Sequence, residues 1–161
     1  MKAESFAAIR PYRPEDAAEL VEVFRRSVIV IGALDYSSEQ VQAWASRAPG
    51  AEEMHRRYTD GRLALVAVDA SDRPVAFGDL ERDGHLDFLY AAPEVAGQGA
   101  ASAIYARLEA HALASGLARL YTEASEAARR FFERKGFEVL ARRELKIGET
   151  SIHNYAMEAW L

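Results

Sequence analysis

Gly97, Gln98 and Gly99 are the residues whose type and spacing first suggest chemistry. They lie between a short apolar stretch that ends at Pro93 and an alanine-rich stretch in which Ile104, Leu108, Ala112 and Leu113 share one side. That order reads as strand, glycine turn, helix. Glycines at such a junction let main-chain N–H groups crowd around an anion, and a helix start adds roughly half a positive charge. A phosphate-bearing cofactor suits this arrangement. Arg107 is the cationic side chain nearby, so the grip falls to the backbone. No G-K-S/T follows the glycines, which excludes a P-loop. The sequence holds no cysteine, so disulfides, thiolate nucleophiles and cysteine-ligated zinc are excluded together. His55, His85, His111 and His153 are scattered without metal-ligand spacing, and no metal is expected.

The elements that must position the loop can be read in order. Ala7 to Arg10 suits a short strand. Pro14, Glu15 and Asp16 then open a helix with Ala17, Leu20, Val21, Phe24 and Val28 at helical spacing. Ser37, with Gln40 three residues on, caps a second helix carrying Val41, Trp44 and Ala45, which Pro49-Gly50 ends; a third helical piece covers Glu52 to Tyr58. LALVAVD from Leu63 and PVAFGDLE from Pro74 form a hairpin around Ser71-Asp72-Arg73, and His85 to Ala91 adds a third strand. Alternation slips there, with Leu86 and Phe88 on one face and Leu89 and Ala91 on the other. A β-bulge near Phe88 and Leu89 accounts for the slip and marks where a strand splays beside a binding site.

After the glycine loop and its helix, Ala118 to Ala124 is expected to run parallel to the strand before it, closing a right-handed crossover. Ser125 caps a helix containing Ala128, Phe131 and Phe132, which Gly136 stops. Glu138 to Ile147 and Ile152 to Trp160 make a closing hairpin around Gly148-Glu149. The 161 residues suit a single domain. A net charge of −5 argues against nucleic acid as a partner. No run approaches the roughly 20 apolar residues of a membrane span, and the first residues lack the apolar core of a leader. No membrane partner and a cytoplasmic location are the expectations. An exposed final strand can pair between copies, giving a homodimer.

This order of elements, together with LYAAPEVAGQGA and AARRFFERKGF, resembles the GNAT superfamily of acetyl-CoA-dependent N-acetyltransferases. The likeness is strongest from His85 to Phe137. It implies a mixed α/β (α+β) fold: a central, mostly antiparallel twisted sheet of about seven strands, one parallel pair splayed at a bulge, helices on both faces. It implies acetyl-CoA as cosubstrate, with the loop Ala96, Gly97, Gln98, Gly99, Ala100, Ala101 and Ser102 around the coenzyme A pyrophosphate. The backbone of Leu89, Tyr90 and Ala91 would pair with the pantetheine arm like an added strand. Two departures stand out. Ala96 takes the place of the family's leading Arg or Gln. In the second motif Ser125 stands near the usual Asn, Ala128 at the Ala, and Phe132 where a Tyr supplies the acid for the departing thiolate. A thiol with a solution pKa of about 8.5 is a tolerable leaving group, so losing the acid slows such a reaction without forbidding it.

The implied transfer to an amine of a small molecule or peptide needs a carboxylate to take the amine proton, directly or through water. Asp79, Glu81, Asp87 and Glu123 lie on strands leading toward the loop. Asp87 comes first, because it immediately precedes the bulge, and Glu123 second. Tyr121, Tyr155 and Ser125 are the hydroxyls that can replace the missing acid. Tyr36, Trp44, His153 and Tyr155 are expected on the acceptor wall. Arg129, Arg130, Arg134 and Lys135 form a basic cluster that can attract the 3′-phosphate or simply face solvent.

Two other classes fit parts of the pattern. A dinucleotide-binding oxidoreductase also begins with strand, G-x-G and helix, but Ser102 occupies its third glycine position and no second βαβ half follows. A non-catalytic acyl-CoA-binding or sensor domain is compatible with Phe132.

Overall fold

The computed structural model describes residues 6–161; residues 1–5, the start of the segment read for a leader, lie outside them. Among the described residues seven strands and five α-helices follow in the expected order: β1 (Ala8–Pro11), α1 (Ala17–Val30), α2 (Ser38–Ala45), α3 (Ala51–Tyr58), β2 (Leu63–Val68), β3 (Pro74–Leu80), β4 (Leu89–Ala91), α4 (Ala100–Ala114), β5 (Arg119–Ala124), α5 (Glu126–Arg134), β6 (Glu138–Ile147) and β7 (Thr150–Trp160). β2 and β3 read as continuous apolar runs because both their faces are covered, and every residue of β3 is buried. Helix α1 lays Leu20, Val23, Phe24 and Val28 against that sheet; Val23, not Val21, completes the buried stripe. In α4 the buried side is Ala100, Ile104, Tyr105, Leu108 and Ala112, whereas Leu113 turns outward.

The strands form two antiparallel sheets, β1-β2-β3-β4 and β5-β7-β6. They meet at one parallel bridge between His85 and Tyr121. There Leu86 N–H donates to the Tyr121 carbonyl at 2.9 Å, and Tyr121 N–H to the Gly84 carbonyl at 3.1 Å. This is the expected parallel pair, splayed beyond its first contact.

Two expectations change in detail, the extent of the third strand and the place of the last one. The third strand is Leu89–Ala91 and not His85 to Ala91, since residues 86–88 leave the β3 ladder. The slip is the expected bulge: the three β3–β4 pairs keep one register and Asp79 N–H still bonds to the Phe88 carbonyl, but Glu81 N–H bonds to that of His85, so one extra residue lies between 85 and 88; further shifts lie at Ala67/Val68 and Val139/Ala141. The final strand is also not an edge. β7 is hydrogen-bonded on both sides, to β5 and β6, so the free edge belongs to β6.

Candidate active site

The glycine loop is built by a short 3-10 turn, Pro93–Val95, followed by Gly97 at φ +74° and Gly99 at φ +94°. Side-chain-bearing residues rarely adopt such angles. A Cβ added at either glycine meets nothing within 4 Å, so the space over the loop is open. Three hydrogen bonds brace it: Ala96 N–H to the Pro93 carbonyl at 3.3 Å, Gln98 N–H to the Val95 carbonyl at 3.2 Å and Gln98 Nε2 to the Glu94 carbonyl at 3.0 Å. Gly99 is the N-cap of α4, and Ala103 N–H bonds back to its carbonyl at 2.9 Å. The amides of Ala100, Ala101 and Ser102 therefore belong to the first turn, which has no carbonyl four residues behind it. Ser102 Oγ meets the Lys135 ammonium, which also lies over the Tyr105 and Phe131 rings at 5.8 and 5.3 Å. Within the basic cluster Lys135 is thus the residue brought to the loop. Arg129 is bound to Glu126 and Glu133, and Arg130 to Asp35.

From the loop, a cleft of about 290 Å³ runs between the two sheets. Its opening begins where β4 leaves β3. Asp79 N–H donates to the Phe88 carbonyl at 3.0 Å in the ladder's usual way, but Phe88 N–H turns to the Asp79 carboxylate, at 2.7 Å. Gly78 allows the close crossing at this point, since a Cβ there would stand 2.8 Å from the Leu89 side chain and 3.2 Å from the Phe88 carbonyl. One wall is Leu86, Asp87, Leu89, Tyr90 and Ala91. The opposite wall is Thr122, Glu123 and Ser125. Ala101, Ala128, Phe131 and Phe132 close the end nearest the loop, and Tyr36, Trp44, His153 and Asn154 the far end. Of the expected residues, Ala96, Gly97, Gln98, Gly99, Ala100 and Ser102 stand outside this enclosed part, leaving Ala101 as the loop's contribution to the lining.

The charged groups fall into three sets. Asp79 is fully buried; burial pushes its carboxyl up to about 6 against the pull of Arg62, which holds it at 2.8 Å. Arg62 also reaches Asp87 Oδ2 at 3.0 Å, and Arg57 binds the same oxygen at 3.0 Å. Both hydrogen bonds to Asp87 thus end on Oδ2.

Glu123 accepts from His85 Nε2 at 2.6 Å, while His85 Nδ1 pairs with Glu81 at 2.8 Å. The Glu123 contact, outweighing burial and joined by Glu81, raises His85 to about 9; the same contact lowers Glu123. Glu81, His85 and Asp87 bring a ligand atom each within 4.8 Å of one another. A protonated ring donates from both nitrogens, however, and offers a cation no lone pair.

The third set lies at the far end. Glu126 Oε1 accepts from the Tyr155 hydroxyl at 2.6 Å and pairs with His153 Nε2 at 2.7 Å. Burial pushes Glu126 up, but hydrogen bonds from Tyr155, His153 and Arg129 prevail and bring it to about 2. Tyr36 packs its ring 5.2 Å from His153 and 5.6 Å from Trp44, and donates its hydroxyl to the His153 carbonyl at 3.0 Å.

The hydroxyl candidates separate clearly. Tyr121 stays outside the cleft: its OH donates to Asp83, which raises it to about 12. Tyr155 also stands outside the lining, its OH committed to Glu126. Ser125 lines the cleft, and its Oγ accepts the Ala128 N–H at 3.3 Å as the α5 cap, which leaves its own proton to give. Sequence reading missed the central places of Arg62, Arg57 and Glu126, whose partners lie 25, 30 and 29 residues away in the chain.

Comparison with known proteins gives a consistent picture. The family model for the acetyltransferase (GNAT) domain matches residues 33–159. A peptidyl-lysine N-acetyltransferase of Salmonella typhimurium, YjaB, is 33% identical over 139 residues, covering 85% of this chain and 87% of that protein. Among solved structures, a GCN5-related N-acetyltransferase from Rhodopseudomonas palustris superposes with a TM-score of 0.88 at 34% identity, over 100% of this chain and 99% of the other. The fold is shared with the PaiA N-acetyltransferase of Thermoplasma acidophilum, solved in complex with coenzyme A, at a TM-score of 0.77 and 21% identity, over 96% and 98% of the two chains.

Proposed function

This chain belongs to the GNAT acetyltransferase family, and from that we propose that it transfers an acetyl group from acetyl-CoA to a primary amine by direct attack within a ternary complex. The observation that carries the reading is the cleft between β4 and β5, with the open glycine loop and the α4 N-terminus at one end. The diphosphate would rest on the amides of Gly97 to Ser102, with Lys135 beside them, and the pantetheine arm would run along Leu89, Tyr90 and Ala91. The R. palustris and T. acidophilum proteins support the fold that this placement requires, and the coenzyme A bound to the latter supports the choice of cosubstrate.

The chemistry then follows from the walls. The amine loses its proton to a cleft carboxylate, Asp87 through Oδ1 or Glu123 through the oxygen that His85 leaves. The neutral nitrogen attacks the thioester carbonyl, whose oxygen draws charge toward a main-chain N–H at the start of β4, an effect worth about 10²-fold or more in related oxyanion sites. As the C–S bond breaks, the attacking nitrogen gives up its second proton, which reaches the departing thiolate through the Ser125 hydroxyl or water and leaves a neutral amide and a free thiol.

Release of free thiol from acetyl-CoA across a panel of amines tests this. Amine-dependent release, with an acetylated product of matching mass, is the expected result. Tight acetyl-CoA binding with no release from any amine would instead support the sensor reading that Phe132, lacking a hydroxyl, keeps open.

A further inference from the structure

Resting on the acetyl-transfer reading, we infer that the acceptor is an amine on an uncharged, partly apolar body with no carboxylate or phosphate beside it, and that Asn154 receives one of its N–H groups. Three observations lead there. Among the described residues lining the cleft there is no lysine or arginine, whereas Asp35, Asp87 and Glu123 all contribute to it. Each of these acids already has its cation: Arg130 holds both oxygens of Asp35, at 3.1 and 2.7 Å, Arg57 and Arg62 hold Asp87, and His85 holds Glu123. A substrate carboxylate would enter a cleft whose lining offers it no cationic side chain, beside three acids whose partners Arg130, Arg57, Arg62 and His85 are already engaged by them. An ammonium meets no such penalty.

Asn154 supplies the second observation. Its Oδ1 is buried and has no hydrogen-bond partner, while its residue lies on the cleft wall. Buried acceptors are almost always paired, so an unpaired one beside a cleft marks the place a donor enters. An ammonium or an amide N–H supplies that donor; a carboxylate or phosphate ester oxygen does not. The third observation is the body of the site, where the rings of Tyr36 and Trp44 meet edge to face at 5.6 Å. Such walls accept methylenes or an aromatic ring next to the amine.

Matched pairs of acceptors test this directly. 2-Phenylethylamine against phenylalanine, and Nα-acetyl-lysine amide against Nα-acetyl-lysine, differ in a carboxylate alone, and the two pairs separate a small-amine source from a peptide one. The carboxylate-free member is expected to show kcat/KM higher by about tenfold or more. Equal use of both members, or preference for the acid, overturns the inference while leaving acetyl transfer in place. No transfer to any of the four or to the wider amine panel, with acetyl-CoA bound, overturns the reading on which it rests.

Asn154→Leu gives an independent arm. Because Oδ1 makes no bond in the free protein, the variant is expected to melt at the wild-type temperature or above. Its KM for the amine should rise about fivefold or more with the Kd for coenzyme A unchanged. An unaltered amine KM in this folded variant removes Asn154 from the acceptor site.

Discussion

The carboxylate of Asp79 holds the main-chain N–H of Phe88 at 2.7 Å. A side chain of β3 thereby takes the place the β3–β4 ladder would give to a carbonyl, just where the two sheets part. Arg62 closes the arrangement by binding both Asp79 and Asp87. A buried acid thus terminates one strand pairing and orients the acid on the cleft wall.

Its pH dependence has a definite sign. Burial raises Asp79 from 3.8 to about 6 in the folded protein. A folded-state value above the unfolded one means that its contribution is fully present below about pH 4 and is lost as the pH rises through 6. Asp79→Asn keeps an oxygen for Phe88 and does not ionise. The melting temperature of the wild type relative to this variant should fall between pH 4 and 6; a difference that stays flat or grows would show that Asp79 does not titrate as described.

His85 gives the complementary test at the seam between the sheets. Its hydrogen bond to Glu123 raises it from 6.5 to about 9, so the stability it adds is complete below about pH 6.5 and disappears as the pH passes 9. Thermal melts of His85→Gln and wild type should converge over that interval. Convergence on the acid side instead would require an imidazole that is neutral in the fold.

Gly97→Val and Gly99→Val place a branched side chain in the open space over the loop, on backbone with φ of +74° and +94°. Each variant should remain folded and lose coenzyme A affinity by about 100-fold or more. Calorimetry with coenzyme A reads this, and wild-type affinity in a folded variant would move the phosphates elsewhere.

Asp87→Asn and Glu123→Gln compare the two proton acceptors. The one that takes the amine proton should lose about 10²-fold or more in kcat when changed, while acetyl-CoA affinity stays within a factor of about two. If neither change slows turnover, the proton leaves by another route.

Ser125→Ala separates its two roles. Removing the α5 cap should cost about 1 kcal/mol, whereas removing a proton donor to the thiolate should lower kcat as well. A loss of stability at unchanged kcat, measured by denaturant melts beside thiol release, would assign Ser125 to the cap alone.

Much of the fold was legible because its signals are local. Ser37 with Gln40 makes the expected capping box, Ser125 caps α5, and Gly136 follows it at φ +89°. The slip in alternation near Phe88 marked the parting of the sheets, since period-2 patterning fails wherever a strand leaves its ladder. Its form was illegible: the partner that draws Phe88 away is a carboxylate nine residues back. The same limit hid which acids are engaged. Nothing next to Asp87 or Glu123 in sequence announces Arg57 or His85, because ion pairs are formed by tertiary proximity and leave no periodic trace. The final strand was misplaced at an edge for a similar reason, as chain order does not fix order within a sheet: the last hairpin folds back so that β7 lies inside and β6 outside.

Among the described residues one bridge, His85 to Tyr121, is all that main-chain pairing provides across the seam. Past it, two half-sheets face each other like pages of an open book, with main-chain groups of β4 and β5 waiting along the gutter. A guest with peptide-like amides laid there would bind the pages into one continuous leaf, so the visiting molecule finishes the architecture as it enters the reaction.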